Sequence, residues 1–224
     1  MITVHHLEDS RSQRVLWLLE ELGVDYEIIR YERNPETKLA PDALKKIHPL
    51  GKSPVITDGE ITVAETGAIV EYLIDAYGSS ALSVPSDPAV KREYTYWLHF
   101  AEGTAMPQLL LKLFFGQVQE APMPFFAKPI AKAISGKVLS SYIDPNLSSQ
   151  LSFIDAHLAK NAWFAGDTMT GADIMMIFPL EAAASRSGAR SFKSIGEYLD
   201  KIHARPAYKA ALEKGGPYAY AAAA

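Results

Sequence analysis

The fold is decided at residues 54–64, which read Pro54-Val55-Ile56-Thr57-Asp58-Gly59-Glu60-Ile61-Thr62-Val63-Ala64. Two runs rich in β-branched residues lie on either side of Asp58-Gly59. An Asp-Gly step tolerates the positive φ angles of a two-residue hairpin turn, and β-branched side chains suit a pleated sheet. The stretch therefore predicts two antiparallel strands.

Upstream of this hairpin the chain alternates strand and helix patterns. Residues 2–7 predict a strand, and the helical spacing of apolar residues from Val15 to Leu22 predicts a helix that ends at Gly23. A second short strand is predicted at 26–30 and a weaker helix at about 42–47. The opening is thus a βαβ crossover.

Downstream, Thr66 can cap a helix that ends at Gly78. The resulting order βαβαββα is typical of a thioredoxin-like unit, which we assign to residues 1–80. A polar, proline-bearing connector at 79–88 has no periodicity and marks a domain boundary.

Residues 88–224 are predicted to form a second, all-helical domain. Pro107 predicts a kink in its first helix, and Asp144-Pro145 a break in its second. Thr170-Gly171-Ala172-Asp173 starts a helix that is apolar nearly all round and therefore central. The tail 218–224 is expected to be frayed. Helices are predicted over 89–118, 125–159, from Thr170, and over 195–203 and 206–212.

Charge argues against a nucleic-acid partner. The chain has 22 Lys and Arg residues against 26 Asp and Glu residues, a net charge of −4. No excess of positive charge is available to neutralise phosphates or to bind an anionic membrane surface. Residues 1–80 carry 8 basic and 14 acidic side chains (−6) and residues 81–224 carry 14 and 12 (+2), which supports the domain boundary.

Composition also limits the chemistry. Cysteine is absent, so disulfides and cysteine nucleophiles are excluded and any thiol must come from a ligand. The six histidines have no i,i+4 pair and no cysteine partner, which gives no support to a zinc site. The sequence shows neither a leader pattern nor a run of about 18 apolar residues, so we expect a cytoplasmic protein without a membrane span.

Three segments in the right order and spacing carry a family resemblance. They are the loop and helix that begin with Ser10-Arg11-Ser12-Gln13-Arg14, the loop Pro49-Leu50-Gly51-Lys52-Ser53-Pro54, and the motif Glu65-Thr66-Gly67-Ala68-Ile69. Together with the Thr170–Asp173 start of the central helix they resemble the cytosolic glutathione transferases. Residues 96–103 and 123–125 further resemble the fungal and bacterial branch typified by a yeast glutathione transferase.

This resemblance implies an activity, a co-substrate and an assembly. Glutathione would bind the first domain as co-substrate, without a metal, and its thiolate would attack small hydrophobic electrophiles held by the helical domain, a detoxification reaction. The resemblance also implies a homodimer. Two alternatives remain open: a glutathione-dependent peroxidase or disulfide reductase, and a non-catalytic binding or regulatory protein of the same fold.

Candidate residues for the glutamyl end of glutathione are Glu65 and Thr66. The Thr66 hydroxyl and the free N–H groups of a helix start can receive a carboxylate, and Glu65 can pair with an amino group. The alternative is that Thr66 only caps its helix.

For the remainder of glutathione the candidates lie in the loop before the hairpin. The resemblance implies a cis Ser53-Pro54 bond that turns the Ser53 backbone toward the cysteinyl part, where a trans proline is the alternative. Lys52 can meet the glycyl carboxylate or be a solvated surface lysine. Lys38 and His48 are weaker candidates, for which a structural role is preferred.

The thiol needs a hydrogen-bond donor and a positive potential, because a free thiol of pKa about 8.5 is mostly protonated at neutral pH. In serine-type members of the family the catalytic serine precedes an arginine by four positions, and Ser10 to Arg14 reproduces this spacing. Ser12 is the rival donor, and either serine could be only a cap. Arg11 could add positive potential or be solvated.

Apolar residues at helical spacing are the remaining candidates. Trp97, Phe100 and Met106 could line a pocket for the electrophile, but such a pattern is more often core, and the pocket is left unassigned. Asp173 is explained by a capping box with Thr170.

Overall fold

The computed structural model describes residues 1–78 and 82–221. Residues 79–81 of the predicted connector and 222–224 of the tail lie outside the described residues. The domain limits 1–80 and 88–224 stay predictions.

A four-stranded mixed sheet forms the first unit. Its strands are β1 (Ile2–Leu7), β2 (Tyr26–Tyr31), β3 (Val55–Asp58) and β4 (Ile61–Ala64), in the order β2-β1-β3-β4. β1 pairs in parallel with β2 and antiparallel with β3, which pairs antiparallel with β4. The predicted hairpin is confirmed, but Asp58 pairs with Ile61, so the turn residues are Gly59 and Glu60.

Helices α1 (Ser12–Leu22) and α2 (Thr66–Tyr77) pack on this sheet. Gly23 ends α1 with a φ of 66°, as its lack of a Cβ allows. The helix predicted at 42–47 is a short 3-10 helix, Asp42–Lys46. Pro49 follows closely, and a proline disfavours helical conformation in the residue before it, so the run cannot extend into a longer helix.

The second unit is helical in every element that the structure describes beyond residue 82. The two long predicted helices are each divided by one wide π turn, Ala101–Ala105 and Leu139–Ile143. Each π turn lies just before a proline, Pro107 or Pro145. Proline lacks an N–H and its ring crowds the carbonyl four residues earlier, which the wider turn relieves. The helices are α3 (Pro88–Phe100), α4 (Met106–Glu120), α5 (Lys128–Val138), α6 (Asp144–Leu158), α7 (Gly171–Ser187), α8 (Lys193–His203) and α9 (Pro206–Gly215).

Helix α7 joins the two units. It is buried over most of its length and packs against α1, α2 and α3, while α9 packs against α1. The capping box of Thr170 and Asp173 is present at its start. A thioredoxin-like unit carrying a helical unit confirms the predicted fold class. Within residues 1–78 and 82–221, no helix has the length and apolar character needed to cross a bilayer.

The tail is ordered by specific contacts, so the expectation that it frays is wrong for residues 218–221. Tyr218 is buried, and its hydroxyl donates to the Glu181 carboxylate at 2.7 Å. The Ala219 N–H donates to Asp9 Oδ1 at 2.7 Å, in the loop that precedes α1. These acceptors come from distant parts of the chain, which a local pattern does not reveal.

Candidate functional site

Ser10 lies in the loop between β1 and α1. Its hydroxyl oxygen accepts the Ser12 N–H at 3.2 Å, and 6% of the residue is exposed. The first N–H groups of a helix have no partner within the helix and create a positive potential. Ser10 therefore presents a hydroxyl where an anion would be stabilised.

Ser12 is enclosed on all sides. It is 0% exposed, and its Oγ lies 2.7 Å from Ser10 Oγ, 2.8 Å from His6 Nδ1 and 3.3 Å from the Leu7 carbonyl oxygen. A ligand cannot reach Ser12 without displacing these partners. Of the two candidate serines, only Ser10 has an accessible edge.

Ser53 is attached to the end of the same strand. Its hydroxyl donates to the His5 carbonyl at 2.8 Å and accepts the Leu7 N–H at 3.2 Å, and the Ser53-Pro54 peptide is cis. In the part of the chain that the structure describes, no hydrogen bond uses the Ser53 N–H or carbonyl. Because Leu7 contacts both Ser53 and Ser12, β1 brings the two predicted segments together.

Glu65 and Thr66 stand at the start of α2. Thr66 is the first helical residue and is buried, whereas Glu65 precedes it with a φ of 71°, exposed and without a side-chain capping bond. The expectation that Thr66 caps α2 is wrong, because a cap precedes the first helical residue. A positive φ is rare and unfavourable outside glycine, and residues held in this way concentrate at functional sites.

The starts of α1 and α2 converge on Met175 in α7. Arg14 donates to the Met175 carbonyl at 2.5 Å. A Cβ atom on Gly67 would lie 3.9 Å from Met175 Cε. The loop with Ser10 and the turn with Thr66 are thereby held against one helix of the second unit.

The lysine and histidine candidates are exposed or half-buried. Lys52 and Lys38 are exposed, and neither forms an ion pair with any residue in the described ranges. His48 is half-buried, with its Nδ1 atom enclosed and without a hydrogen-bond partner there. The geometry leaves Lys52, the neighbour of Ser53, free to meet an anion.

Arg11 turns toward the helical unit. Its Nε lies 3.1 Å from Glu102 Oε2, and the buried guanidinium of Arg14 binds the same carboxylate. Burial alone would raise the pKa of Glu102, but the charges of Arg14 and Arg11 outweigh it and lower this pKa. The Phe178 ring lies 5.5 and 5.6 Å from the two guanidinium carbons. Sequence spacing did not indicate the pairing with Glu102, which is 91 residues from Arg11.

The three aromatic and apolar candidates are core residues. Trp97 is 2%, Phe100 7% and Met106 6% exposed. A cavity of about 230 Å³ lies elsewhere, beside Trp163 and Arg205, and is lined by none of the predicted site residues. No group of three or more His, Asp or Glu side chains arranged for a metal ion occurs among residues 1–78 and 82–221.

A serine before α1, a cis-proline loop and a positive φ before α2 lie on a thioredoxin-like unit that carries an appended helical unit. The family model described as Glutathione S-transferase, N-terminal domain matches residues 1–75, and the one described as Glutathione S-transferase, C-terminal domain matches residues 136–206. The chain belongs to the glutathione S-transferase family.

Individual relatives agree along nearly the whole chain. It is 37% identical over 215 residues to Glutathione S-transferase 3 of Schizosaccharomyces pombe, covering 96% of this chain and 88% of the relative. It is 33% identical to Glutathione S-transferase 1 of Saccharomyces cerevisiae, covering 96% and 95%.

Among solved structures, a glutathione S-transferase from Actinobacillus pleuropneumoniae aligns with a TM-score of 0.79 and 32% identity over 98% of this chain and 95% of that one. The predicted family is confirmed. The protein is an enzyme of this family with glutathione as its co-substrate.

Proposed function

We propose that this transferase conjugates the glutathione thiolate to small hydrophobic electrophiles and that Ser10 is the residue that stabilises the thiolate. The observation that carries the proposal is the position of the Ser10 hydroxyl, the accessible one of two serines, at the start of α1. A hydroxyl that donates to sulfur, together with the helix N-terminus, favours the ionised thiol. Ser10 thereby activates the nucleophile and is not itself one.

Glutathione binding is divided among three groups in this proposal. The unused N–H and carbonyl of Ser53 pair with the cysteinyl unit as an added strand would. The Glu65 carboxylate pairs with the glutamyl amine, and the start of α2 at Thr66 receives the glutamyl carboxylate. Exposed Lys52 meets the glycyl carboxylate.

The sequence left two roles open for Arg11, a source of positive potential at the thiol and a solvated side chain. We replace both with a third role. Its guanidinium pairs with Glu102, so its charge is shared with the helical unit and does not point freely to a ligand. In the proposed enzyme Arg11 and Arg14 hold the Ser10 loop against the helical unit, which binds the electrophile. This contact limits the distance between the sulfur and the electrophile.

The test is an ultraviolet titration of the bound glutathione thiolate in the wild type, Ser10→Ala and Ser86→Ala. Loss of a hydrogen bond to a charged group should raise the thiol pKa by about 1–2 units in Ser10→Ala. Ser86 is exposed in the connector and serves as the control. A wild-type thiol whose pKa is not lowered by binding, or one that is indifferent to Ser10→Ala, contradicts the assignment. Mass spectrometry of products from a panel of apolar electrophiles then tests conjugation.

A homodimer is part of the same proposal, and an exposed apolar surface supports it. In α4 the exposed large apolar side chains recur every four residues. Helix α5, which packs against α4, adds further exposed apolar side chains to the same surface. Exposed apolar patches of this kind usually mark a surface that another molecule covers. Sedimentation should give a mass near twice 24.6 kDa, and a monomer at micromolar concentration contradicts this part. The patch comprises Leu110, Phe114, Val118, Phe125, Phe126, Ile130 and Ile134.

A cytoplasmic location completes the proposal. The chain has no cysteine to form disulfides, and the cytosol maintains the reduced glutathione that the reaction consumes. Fractionation of cells that express the protein tests the location.

A further inference from the structure

Residues 218–221 contact the loop that holds Ser10. The Ala219 N–H donates to Asp9 Oδ1 at 2.7 Å, and Asp9 is the residue immediately before Ser10. Ala219 and Asp9 are 210 positions apart, so the contact exists only in the folded chain. A segment that is remote in sequence therefore touches the direct neighbour of the serine that we assign to the thiol.

Asp9 has an unfavourable backbone conformation. Its φ is 45°, in the left-handed region that residues other than glycine rarely adopt, although Asp tolerates it better than most. A residue keeps such a conformation where the surrounding contacts hold it. The Ala219 N–H holds the Asp9 carboxylate, and Arg33 Nη2 donates to the Asp9 carbonyl at 3.4 Å. Because the φ of Asp9 sets the direction in which the chain enters Ser10, these contacts also fix the position of Ser10.

Tyr218 anchors the segment on one side of Ala219. It is buried, and its hydroxyl donates at 2.7 Å to Glu181 Oε2, on a side chain of α7 that is itself buried. The Ala221 N–H donates to the Tyr218 carbonyl at 3.2 Å and closes a turn around Ala219. A buried donor and acceptor resist separation, because each would be left without a partner. The Ala219 N–H is thereby fixed relative to α7.

Tyr220 anchors the segment on the other side of Ala219. Its ring lies edge-on to the Phe178 ring of α7, with the centroids 5.4 Å apart. The same Phe178 ring lies 5.5 Å from the guanidinium carbon of Arg11, the residue that follows Ser10. Residues 218–221 therefore reach both neighbours of Ser10: Asp9 directly, and Arg11 through Phe178.

We propose that Ala219 and Asp9 are positioning residues of this enzyme, whose mutual hydrogen bond keeps the Ser10 hydroxyl where it donates to the glutathione sulfur. The proposal rests on the assignment of Ser10 made above. Without this bond Asp9 is free to return to a negative φ, the Ser10 hydroxyl moves away from the sulfur, and the thiolate loses part of its stabilisation. Neither residue needs to touch glutathione, and no covalent bond changes.

The first test removes the donor. Ala219→Pro deletes the N–H without changing any charge, at an exposed position. Ultraviolet titration of bound glutathione in the full-length protein should give a thiol pKa that is higher than in the wild type by about 0.5–1 unit, a smaller rise than in Ser10→Ala. Ser86→Ala, in the exposed connector, is again the control without a shift.

The second test changes the acceptor and separates its geometry from its charge. Asp9→Asn keeps an acceptor oxygen and a side chain that tolerates a positive φ, but it removes a negative charge that opposes formation of the thiolate. Asp9→Asn should therefore leave the thiol pKa unchanged or lower it. Asp9→Ala removes the acceptor as well, so its thiol pKa should exceed that of Asp9→Asn by the shift seen in Ala219→Pro.

The third test asks whether the effect passes through Ser10. In a Ser10→Ala background, Ala219→Pro should cause no further rise of the thiol pKa, because the hydroxyl that it positions is already absent. A contact that served only to stabilise the fold would act equally with and without Ser10.

Each outcome has a separate meaning. A wild-type thiol pKa in Ala219→Pro, or a shift that persists in the Ser10→Ala background, overturns the inference. If circular dichroism shows that Ala219→Pro does not fold, equal thiol pKa values in Asp9→Ala and Asp9→Asn overturn it instead. If Ser10→Ala raises the thiol pKa while the Ala219 and Asp9 comparisons show no shift, the proposed function stands and only this inference fails. A wild-type thiol whose pKa is not lowered by binding overturns both.

Discussion

The carboxylate of Asp173 offers the sharpest test of how the helical unit is held together. It is 0% exposed and accepts the Thr170 N–H at 2.8 Å, the Phe164 N–H at 3.1 Å, the Tyr198 hydroxyl at 2.8 Å and the Thr170 hydroxyl at 3.2 Å. The replacement Asp173→Ala removes the acceptor from all four buried donors at once. Tyr198→Phe removes one donor and leaves the others paired.

The magnitude follows from the number of orphaned donors. Each buried donor without a partner costs about 1–3 kcal/mol, so four donors would cost roughly 4–12 kcal/mol. Burial raises the pKa of Asp173, which means that the carboxylate is itself unfavourable in this site and its removal offsets part of the loss. We therefore expect Asp173→Ala to lower the free energy of unfolding by about 3–5 kcal/mol, and Tyr198→Phe by about 1 kcal/mol.

Urea titrations followed by circular dichroism measure both values. Asp173→Asn keeps one acceptor oxygen and should fall between the other two variants. Asp200→Asn, on an exposed ion pair with Arg190, is the control and should change stability by less than about 1 kcal/mol. A value for Asp173→Ala within about 1 kcal/mol of wild type would refute the account of four donors that depend on this carboxylate.

Two further predictions concern buried charge. Glu102→Gln leaves the buried Arg14 guanidinium without its counter-charge, and because Glu102 is itself 34% exposed, we expect a loss of only about 2 kcal/mol in urea titrations; a loss no larger than that of Asp200→Asn contradicts it. Between pH 6.5 and about 4 the unfolded chain protonates His6 while the folded protein does not. Stability should therefore fall by at most about 3 kcal/mol as the pH drops through this window, and His6→Phe should flatten that part of the profile.

Local signals in the sequence predicted most of the secondary structure and the order of the site segments. The Asp58-Gly59 step, the helix stop at Gly23 and the capping box at Thr170 act through neighbouring backbone atoms, and each was found where the pattern indicated, within one residue. The three family segments are equally local, which is why the family could be recognised without coordinates. Such features need no knowledge of the remainder of the chain.

The surroundings of individual side chains within these segments required the tertiary structure. Sequence spacing left Ser10 and Ser12 as rivals, and only burial separates them, since Ser12 is enclosed by His6 and the end of β1. The prediction that Thr66 caps α2 was wrong because Glu65 adopts a positive φ and α2 begins at Thr66, one residue earlier than a Thr66 cap requires.

The sequence by itself determined the family of this cysteine-free protein, its thioredoxin-like unit with a helical unit, and glutathione as its co-substrate. The contacts that tune the site come from far along the chain: Glu102 to Arg11 across 91 residues, and Ala219 to Asp9 across 210 residues. Periodicity and capping describe interactions over a few residues, whereas burial and charge pairing depend on which distant surfaces meet. For that physical reason only the folded chain shows which of the two serines is enclosed and which one keeps an exposed edge.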